Sequence, residues 1–388
     1  MINKVKSITV VTGNYPAKNH QMYVFVQQLV HAFIDIGVKV SVVAPQSIIH
    51  SLVHKKNIFP RHCKGITEKG IEYDIYRPYT LSFGNCKLFK KITSWYNKKI
   101  VVSKVRNIKS EILYTHFWAS ALLVYKHARL NNIPLFVACG EGDDALENIV
   151  NSLSKQDVKE LTASVKGVIS VSTENKRKCI KYGLSNENNI DVFPNCVNTN
   201  VFKKTNSDIL QNQLGIHKDD FVICFIGVFT PRKGPDRLAK AITKLNDPKI
   251  KVMFIGKSFP GYAYNFDCPG IIHIGPIPHE NLPDYLNCAD IFVLPTQKEG
   301  CCNAIVEALA VGLPVISSNG AFNDDILDEY NSIRLDPNNV DAIATAIKDL
   351  KDNRVLYEQM SSYSKMNHYK YSIEGRAYRI LDFINNHK

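Results

Sequence analysis

Short apolar runs alternate along this chain with amphipathic stretches of helical length, and that order restricts the fold to parallel sheet wound with helices. In the first half, residues 7–12 read as a strand, 23–36 as a helix and 39–44 as a strand, with further strands at 111–116, 135–139, 167–172 and 189–193. After a polar stretch at 203–218 a second series begins, with strands at 221–226, 251–255, 271–274, 291–294 and 314–317. Two Rossmann-like halves follow, divided within residues 200–218. Such sheets bind ligands beyond the carboxyl ends of their strands. A two-domain version therefore places its site between the halves, and the loops leaving strands on that side carry the chemistry.

A chain of 388 residues with 45% hydrophobic content can fill two such cores. The longest apolar runs, 221–229 and 308–316, have the length of buried strands. They fall short of the roughly eighteen residues that span a bilayer. Lys4 and Lys6 precede an apolar stretch broken by Gly13, Asn14 and Pro16, with no small-residue cleavage site, so the chain is expected to stay in the cytosol. The ten cysteines are scattered apart from the adjacent Cys301 and Cys302, and form neither a CxxC pair nor a metal-like spacing with histidines. Reduced thiols are expected. A formal charge of +12 favours acidic partners such as nucleotide sugars, lipid phosphates or an anionic membrane. Nucleic acid is not expected, because no recognition motif accompanies the charge.

The most informative loop runs from Pro295 to Ala310, following a buried strand and entering a helix that ends near Gly312 and Pro314. Gly300 allows close backbone approach, and the amides of Cys302, Asn303 and Ala304 open a helix N-terminus that can hold a diphosphate. Glu299 precedes this helix and Glu307 lies inside it, so two carboxylates can reach different hydroxyl groups of one ligand. Taken alone, the same pair also reads as a surface helix residue and a partner of the helix dipole.

The spacing and surroundings of Glu299 and Glu307 resemble the E-x7-E signature of glycosyltransferase family 4, the retaining group 1 glycosyltransferases. The resemblance covers nearly the whole chain. It takes in Ile169-Ser170-Val171-Ser172 with Glu174, Phe193-Pro194-Asn195-Cys196-Val197-Asn198, and Phe225-Ile226-Gly227 leading to Lys233-Gly234. Ile274-Gly275-Pro276, the strand Ala289 to Pro295, and Gly312-Leu313-Pro314-Val315-Ile316 follow in order, and residues 319–334 are similar to bacterial members that build surface polysaccharides. The implied fold is GT-B, an α/β architecture of two Rossmann-like domains whose parallel sheets face across a cleft. Residues 1–203 would form the acceptor-side domain and 204–370 the nucleotide-sugar domain, with 371–388 a C-terminal helix returning to the first.

By the same resemblance, Glu307 binds the donor ribose and Glu299 lies against the transferred sugar. Lys233 contacts the diphosphate, where a fixed cation stabilises the charge left when the anomeric bond breaks. Gly300, Cys301, Cys302, Asn303 and Ala304, with Gly227, Pro276 and Ile277, complete the implied donor site. On the acceptor side it points to Gly13, His20, His116, Glu141 and Asp143.

The departures are specific. Val228 stands where the family commonly has an arginine, and Arg232 beside Lys233 is the candidate replacement. Residues 13–20 lack the usual glycine pair, and Gly140-Glu141-Gly142-Asp143 stands where many members have His-Gly-x-Asp. Cys196 and Asn198 replace a glycine and an aspartate. The resemblance implies retention of anomeric configuration. Front-side attack by an acceptor hydroxyl is favoured, with a UDP-sugar as donor substrate, no cofactor and no catalytic metal. A glycan or lipid-linked acceptor is expected.

A basic stretch with aromatic residues comprises Lys87, Lys90, Lys91, Trp95, Tyr96, Lys98, Lys99, Lys104, Arg106 and Lys109, with no acid interrupting it. It reads either as a cationic face resting on the inner plasma membrane or as a soluble helix with a solvated basic side. A catalytically silent scaffold and a sugar-nucleotide epimerase are the alternative functions.

Overall fold

The computed structural model describes residues 4–17, 22–53, 55, 57–81, 87–141, 143–258 and 263–388, without the side chains of 87–91 and 143. His20 and Gly142 therefore lie outside the described residues, as does the side chain of Asp143. The chain forms two compact units, one comprising Met1–Phe193 with Arg376–Lys388 and the other Pro194–Gly375.

In the first unit the strands are β1 (Ser7–Thr12), β2 (Lys39–Val43), β3 (Gln46–Ser47), β4 (His62–Ile66), β5 (Glu72–Tyr76), β6 (Tyr79–Thr80), β7 (Ile112–His116), β8 (Leu135–Cys139), β9 (Val165–Ser170) and β10 (Ile190–Val192). The main sheet runs in the order β10-β9-β8-β7-β1-β2-β5-β4, and β3 pairs separately with β6. Its central strands are buried on both faces, as continuous apolar runs require of a helix-covered parallel sheet. Only β4 runs antiparallel within it, and its residues alternate in exposure as an edge strand's do. The strand order reverses between β1 and β7, and Thr12 pairs with His116 at that point.

The second unit contains β11 (Phe221–Ile226), β12 (Ile250–Ile255), β13 (Ile271–Gly275), β14 (Ile291–Leu294), β15 (Val315–Ser318) and β16 (Ser332–Leu335). All are parallel, in the order β13-β12-β11-β14-β15-β16. The reversal falls between β11 and β14, which places the loops after Ile226 and Leu294 where such sheets bind ligands. Helices Pro235–Leu245 and Asn303–Val311 follow those loops. The second of these is buried along nearly its whole length, consistent with its run of small and branched apolar residues.

Within the polar stretch 203–218, Asp208–Gln213 forms a short helix. The second unit begins at Pro194 rather than near 204 because Val197 and Phe202 are buried in its core. The Val197 amide donates to the Tyr371 carbonyl at 2.8 Å and the Ile373 amide to the Val197 carbonyl at 2.8 Å, so the two segments at its margin pair. Helix Ile373–His387 ends the chain, with Ala377, Ile380 and Ile384 buried and the Phe383 ring against Phe136 and Phe193 in the first unit.

Candidate active site

In the second unit, two loops are joined by their backbones before any side chain acts. The Gln297 amide donates to the Arg232 carbonyl at 2.9 Å. Gly234, at φ 74°, ends the first loop and caps the helix Pro235–Leu245. A side chain there would collide with the Arg237 guanidinium, 2.4 Å from an ideal Cβ. Arg237 reaches back from the helix and donates to the carbonyls of Pro231 at 2.7 Å and Pro295 at 2.6 Å.

On this frame three polar groups converge on one oxygen. Glu299 Oε1 accepts from Lys233 Nζ at 2.6 Å, Arg232 Nη1 at 3.0 Å and Thr296 Oγ1 at 2.8 Å. Thr296 is fully buried, and the Lys233 and Glu299 side chains are nearly so. Burial works against the Lys233 charge, but Cys302 and Glu299 outweigh it and raise its pKa above the usual lysine value, so it stays a cation. Its Nζ also lies 3.9 Å from Cys302 Sγ, at the N-terminus of helix Asn303–Val311. That helix has no acid in its first turn and no side-chain cap. A lysine ammonium beside uncapped helix amides is an anion-binding arrangement.

Asn195 braces the same loop, its Nδ2 donating to the Cys301 carbonyl at 3.1 Å and to Asn303 Oδ1 at 2.8 Å. Deeper in the helix, Glu307 is buried and its Oε1 lies 2.9 Å from His279 Nε2. His279 follows Pro276, Ile277 and Pro278 after β13, and its ring packs against Phe202. Burial opposes the charge of His279, but its hydrogen bond and attraction to Glu307, with Glu280 adding to them, raise its pKa overall.

The first unit has a cluster of its own at the carboxyl ends of β1, β7 and β8. His116 closes β7, with the rings of Phe25, Phe117 and Tyr23 around it. Burial, with the nearby Arg376 charge adding to it, lowers its pKa to about 3, so the imidazole is neutral, and its Nδ1 has no hydrogen-bond partner among the described residues. Glu141 faces inward. Its Oε1 accepts the Trp118 amide at 2.6 Å and its Oε2 the Gly140 amide at 3.1 Å, which makes it the anion at the start of helix Trp118–Leu130. Burial raises its pKa, and those amides pull it back. Gly13 follows β1, with open space where a Cβ would sit.

The sequence profile of the group 1 glycosyl transferases matches residues 206–367. The chain is a glycosyltransferase. A galactosyltransferase of Escherichia coli acting from UDP-Gal on α-D-GlcNAc-diphosphoundecaprenol is 27% identical over 290 residues, covering 69% of this chain and 74% of that protein. The putative teichuronic acid biosynthesis glycosyltransferase TuaC of Bacillus subtilis is 25% identical over 314 residues, covering 78% and 76%. Among solved structures, sucrose-phosphate synthase from Thermosynechococcus elongatus superposes with a TM-score of 0.76 at 16% identity over 98% of both chains. Anabaena HepE in complex with UDP and glucose gives 0.70 at 14% identity, over 98% of this chain and 100% of that one. These likenesses show the GT-B fold.

The glycosyltransferase brings Glu299, Lys233 and Arg232 together as one cluster, with Gly300, Cys301, Cys302, Asn303 and Ala304 in the adjoining loop and helix start. Gly227 begins the loop that carries Arg232 and Lys233. Pro276 and Ile277 lead to His279 and so to Glu307. Sequence reasoning missed His279, Arg237 and Thr296 and assigned no role to Asn195. His279, Arg237 and Asn195 act through contacts distant in the chain that no local pattern marks, whereas Thr296 meets Glu299 three residues on. Among the described residues no cluster of His, Cys, Asp and Glu is arranged to hold a metal ion, and no helix is long and apolar enough to cross a membrane. The basic stretch forms helix Lys87–Ile108, with Val101 and Val105 in the core, Ile92 and Trp95 exposed, and Lys99 Nζ 4.0 Å from the Trp95 ring centroid.

Proposed function

We propose that this glycosyltransferase moves a sugar, with retention, from a nucleotide diphosphate sugar to a hydroxyl of a glycan or lipid-linked acceptor in bacterial surface-polysaccharide synthesis. The observation that carries the reading is Lys233, buried as a cation against Glu299 and beside the uncapped start of helix Asn303–Val311. A diphosphate fits that place by charge and by amide donors. The UDP in the complex of Anabaena HepE, and the UDP-Gal donor and lipid diphosphate acceptor named for the Escherichia coli relative, favour a UDP-sugar and a lipid-linked acceptor.

In the reaction, the bond from the anomeric carbon to the phosphate oxygen breaks and the acceptor oxygen bonds to the same face of that carbon. The acceptor proton passes to the departing phosphate. Lys233, with Arg232 beside it, stabilises the charge on that phosphate, Glu299 holds the two cations and meets the transferred sugar, and Glu307 accepts from the ribose hydroxyls. No metal is required in this scheme. The enzyme works at the inner face of the plasma membrane, where the exposed Trp95, Ile92 and Lys99 of the basic helix meet anionic lipid.

The test is donor binding and turnover across a panel of nucleotide sugars with lipid-linked acceptor extracts, comparing the native chain with Lys233→Ala and Glu307→Ala and adding a chelator. Chelator-resistant turnover of one donor, lost in both variants, is expected. A folded native chain that turns over none of them would instead be a silent scaffold.

A further inference from the structure

We infer that His279 is a positioning residue for the donor: it holds the Glu307 carboxylate for the vicinal hydroxyls of the ribose, and its charge state sets how tightly the donor binds. The inference rests on the reading of Glu307 as the ribose-binding carboxylate. Glu307 is buried in the middle of helix Asn303–Val311, where a carboxylate without a partner is costly. The partner the structure gives it is His279, 2.9 Å from Oε1. That bond takes one of the two carboxylate oxygens and fixes the plane in which the other is presented. The imidazole is itself held, because it opens the turn His279–Asn281 and its ring centroid lies 5.5 Å from that of Phe202.

The groups around His279 favour its charged form. Glu307 on the facing helix and Glu280 beside it are acids, Phe202 brings no charge, and the packed helix Leu282–Cys288 carries Asp284, Tyr285 and Cys288. An imidazolium donating to a carboxylate adds the attraction of opposite charges to the hydrogen bond and holds it more tightly than a neutral imidazole does. As pH rises through the histidine range, the bond weakens, the carboxylate plane loosens and ribose recognition falls. No short sequence pattern links a residue after β13 to one inside the helix Asn303–Val311, so this pairing exists only in the fold.

Isothermal titration of UDP, GDP and ADP selects the nucleoside diphosphate that binds best, which is then compared with its 2′-deoxy counterpart. The ratio of the two affinities isolates the hydroxyl contact and cancels the phosphate's own titration near pH 6. It is measured at about pH 6 and about pH 8.5, on either side of the histidine range. The native ratio is expected to shrink about five- to tenfold between the two, the net size of one ordinary hydrogen bond. His279→Gln, which keeps a donor but cannot titrate, is expected to hold a partial ratio that is the same at both pH values. His279→Ala is expected to lose most of it at both.

If no nucleoside diphosphate binds, or the native chain does not distinguish ribose from deoxyribose, the Glu307 reading falls and this inference with it. If the native ratio exists and is lost in Glu307→Ala, but is independent of pH and unchanged in His279→Gln, the role of His279 alone is overturned.

Discussion

Arg237 Nη2 donates to the Pro295 carbonyl at 2.6 Å while its Nη1 donates to the Pro231 carbonyl at 2.7 Å, so one buried guanidinium spans the loops after β11 and β14. Those loops carry Lys233 and Glu299, whose contact at 2.6 Å depends on both staying in place. Arg237→Ala is expected to cost about 2–4 kcal/mol, because buried carbonyls lose a charged donor. Arg237→Lys recovers only part of this, since an ammonium does not reproduce the planar fork. Urea midpoints read the stability. A donor KM that rises in both variants would mark the positioning effect, and unchanged values would show that the loops hold without it.

Lys233 and Glu299 are expected to respond unequally to substitution. Lys233→Ala removes the cation proposed to meet the developing phosphate charge, and kcat should fall by about a hundredfold or more. Glu299→Gln leaves the lysine in a buried place without its carboxylate, and should lower stability as well as rate by leaving Lys233 and Arg232 facing each other. Thermal denaturation beside single-turnover rates separates the two. Equal rate losses with no stability difference would mean the carboxylate does not hold the cations.

How much of this was legible in the sequence follows from how local each signal is. Strands β1, β8, β11 and β14 were readable because both faces are buried, so their apolar runs are continuous. Strands β4 and β5 were not: at the edge and next to it their exposure alternates, and His62, Lys64, Glu72 and Asp74 interrupt the pattern. The two-residue β3 and β6 are too short to carry any period. Within the site, Lys233, Glu299 and Glu307 stand in loops and a helix start that local residues announce. His279 and Arg237 matter because of groups 28 and 58 residues away. Glu141 was legible as an acidic loop residue, but its bond to the Trp118 amide, which makes it a helix-capping anion, comes from the pairing of β7 and β8.

His116 supplies a pH dependence of stability with a definite sign. Burial, reinforced by Arg376, lowers its folded-state pKa to about 3, against a reference of 6.5. The unfolded chain therefore takes up the proton first, so the contribution is fully present above about pH 6.5 and is lost as pH falls toward 3, at about 1.4 kcal/mol per unit. His116→Asn should flatten the fall of the first unit's urea midpoint between about pH 7 and about pH 5. The same slope in both proteins would assign the acid sensitivity elsewhere.

Gly256 and Gly13 both follow strands, yet substitution should separate them sharply. Gly256 has φ 152°, and an ideal Cβ on it would stand 1.9 Å from the Gly227 carbonyl oxygen. Its amide donates to Gly275 at 2.9 Å, and Gly227 in turn donates to Ile255 at 3.0 Å, so the backbone cannot retreat without breaking pairing at the ends of β11, β12 and β13. Gly256→Ala combines a forbidden approach with a strained dihedral and should cost more than about 3 kcal/mol. Gly13 has open space around it and no left-handed φ, so Gly13→Ala should stay within about 0.5 kcal/mol. Because the two glycines lie in different units, unfolding should be followed with a probe in each, and only the second unit's transition should move in Gly256→Ala. Comparable losses from both substitutions would mean that the close approach at Gly227 relaxes easily. The loop that carries Arg232 and Lys233 would then not be anchored at its start.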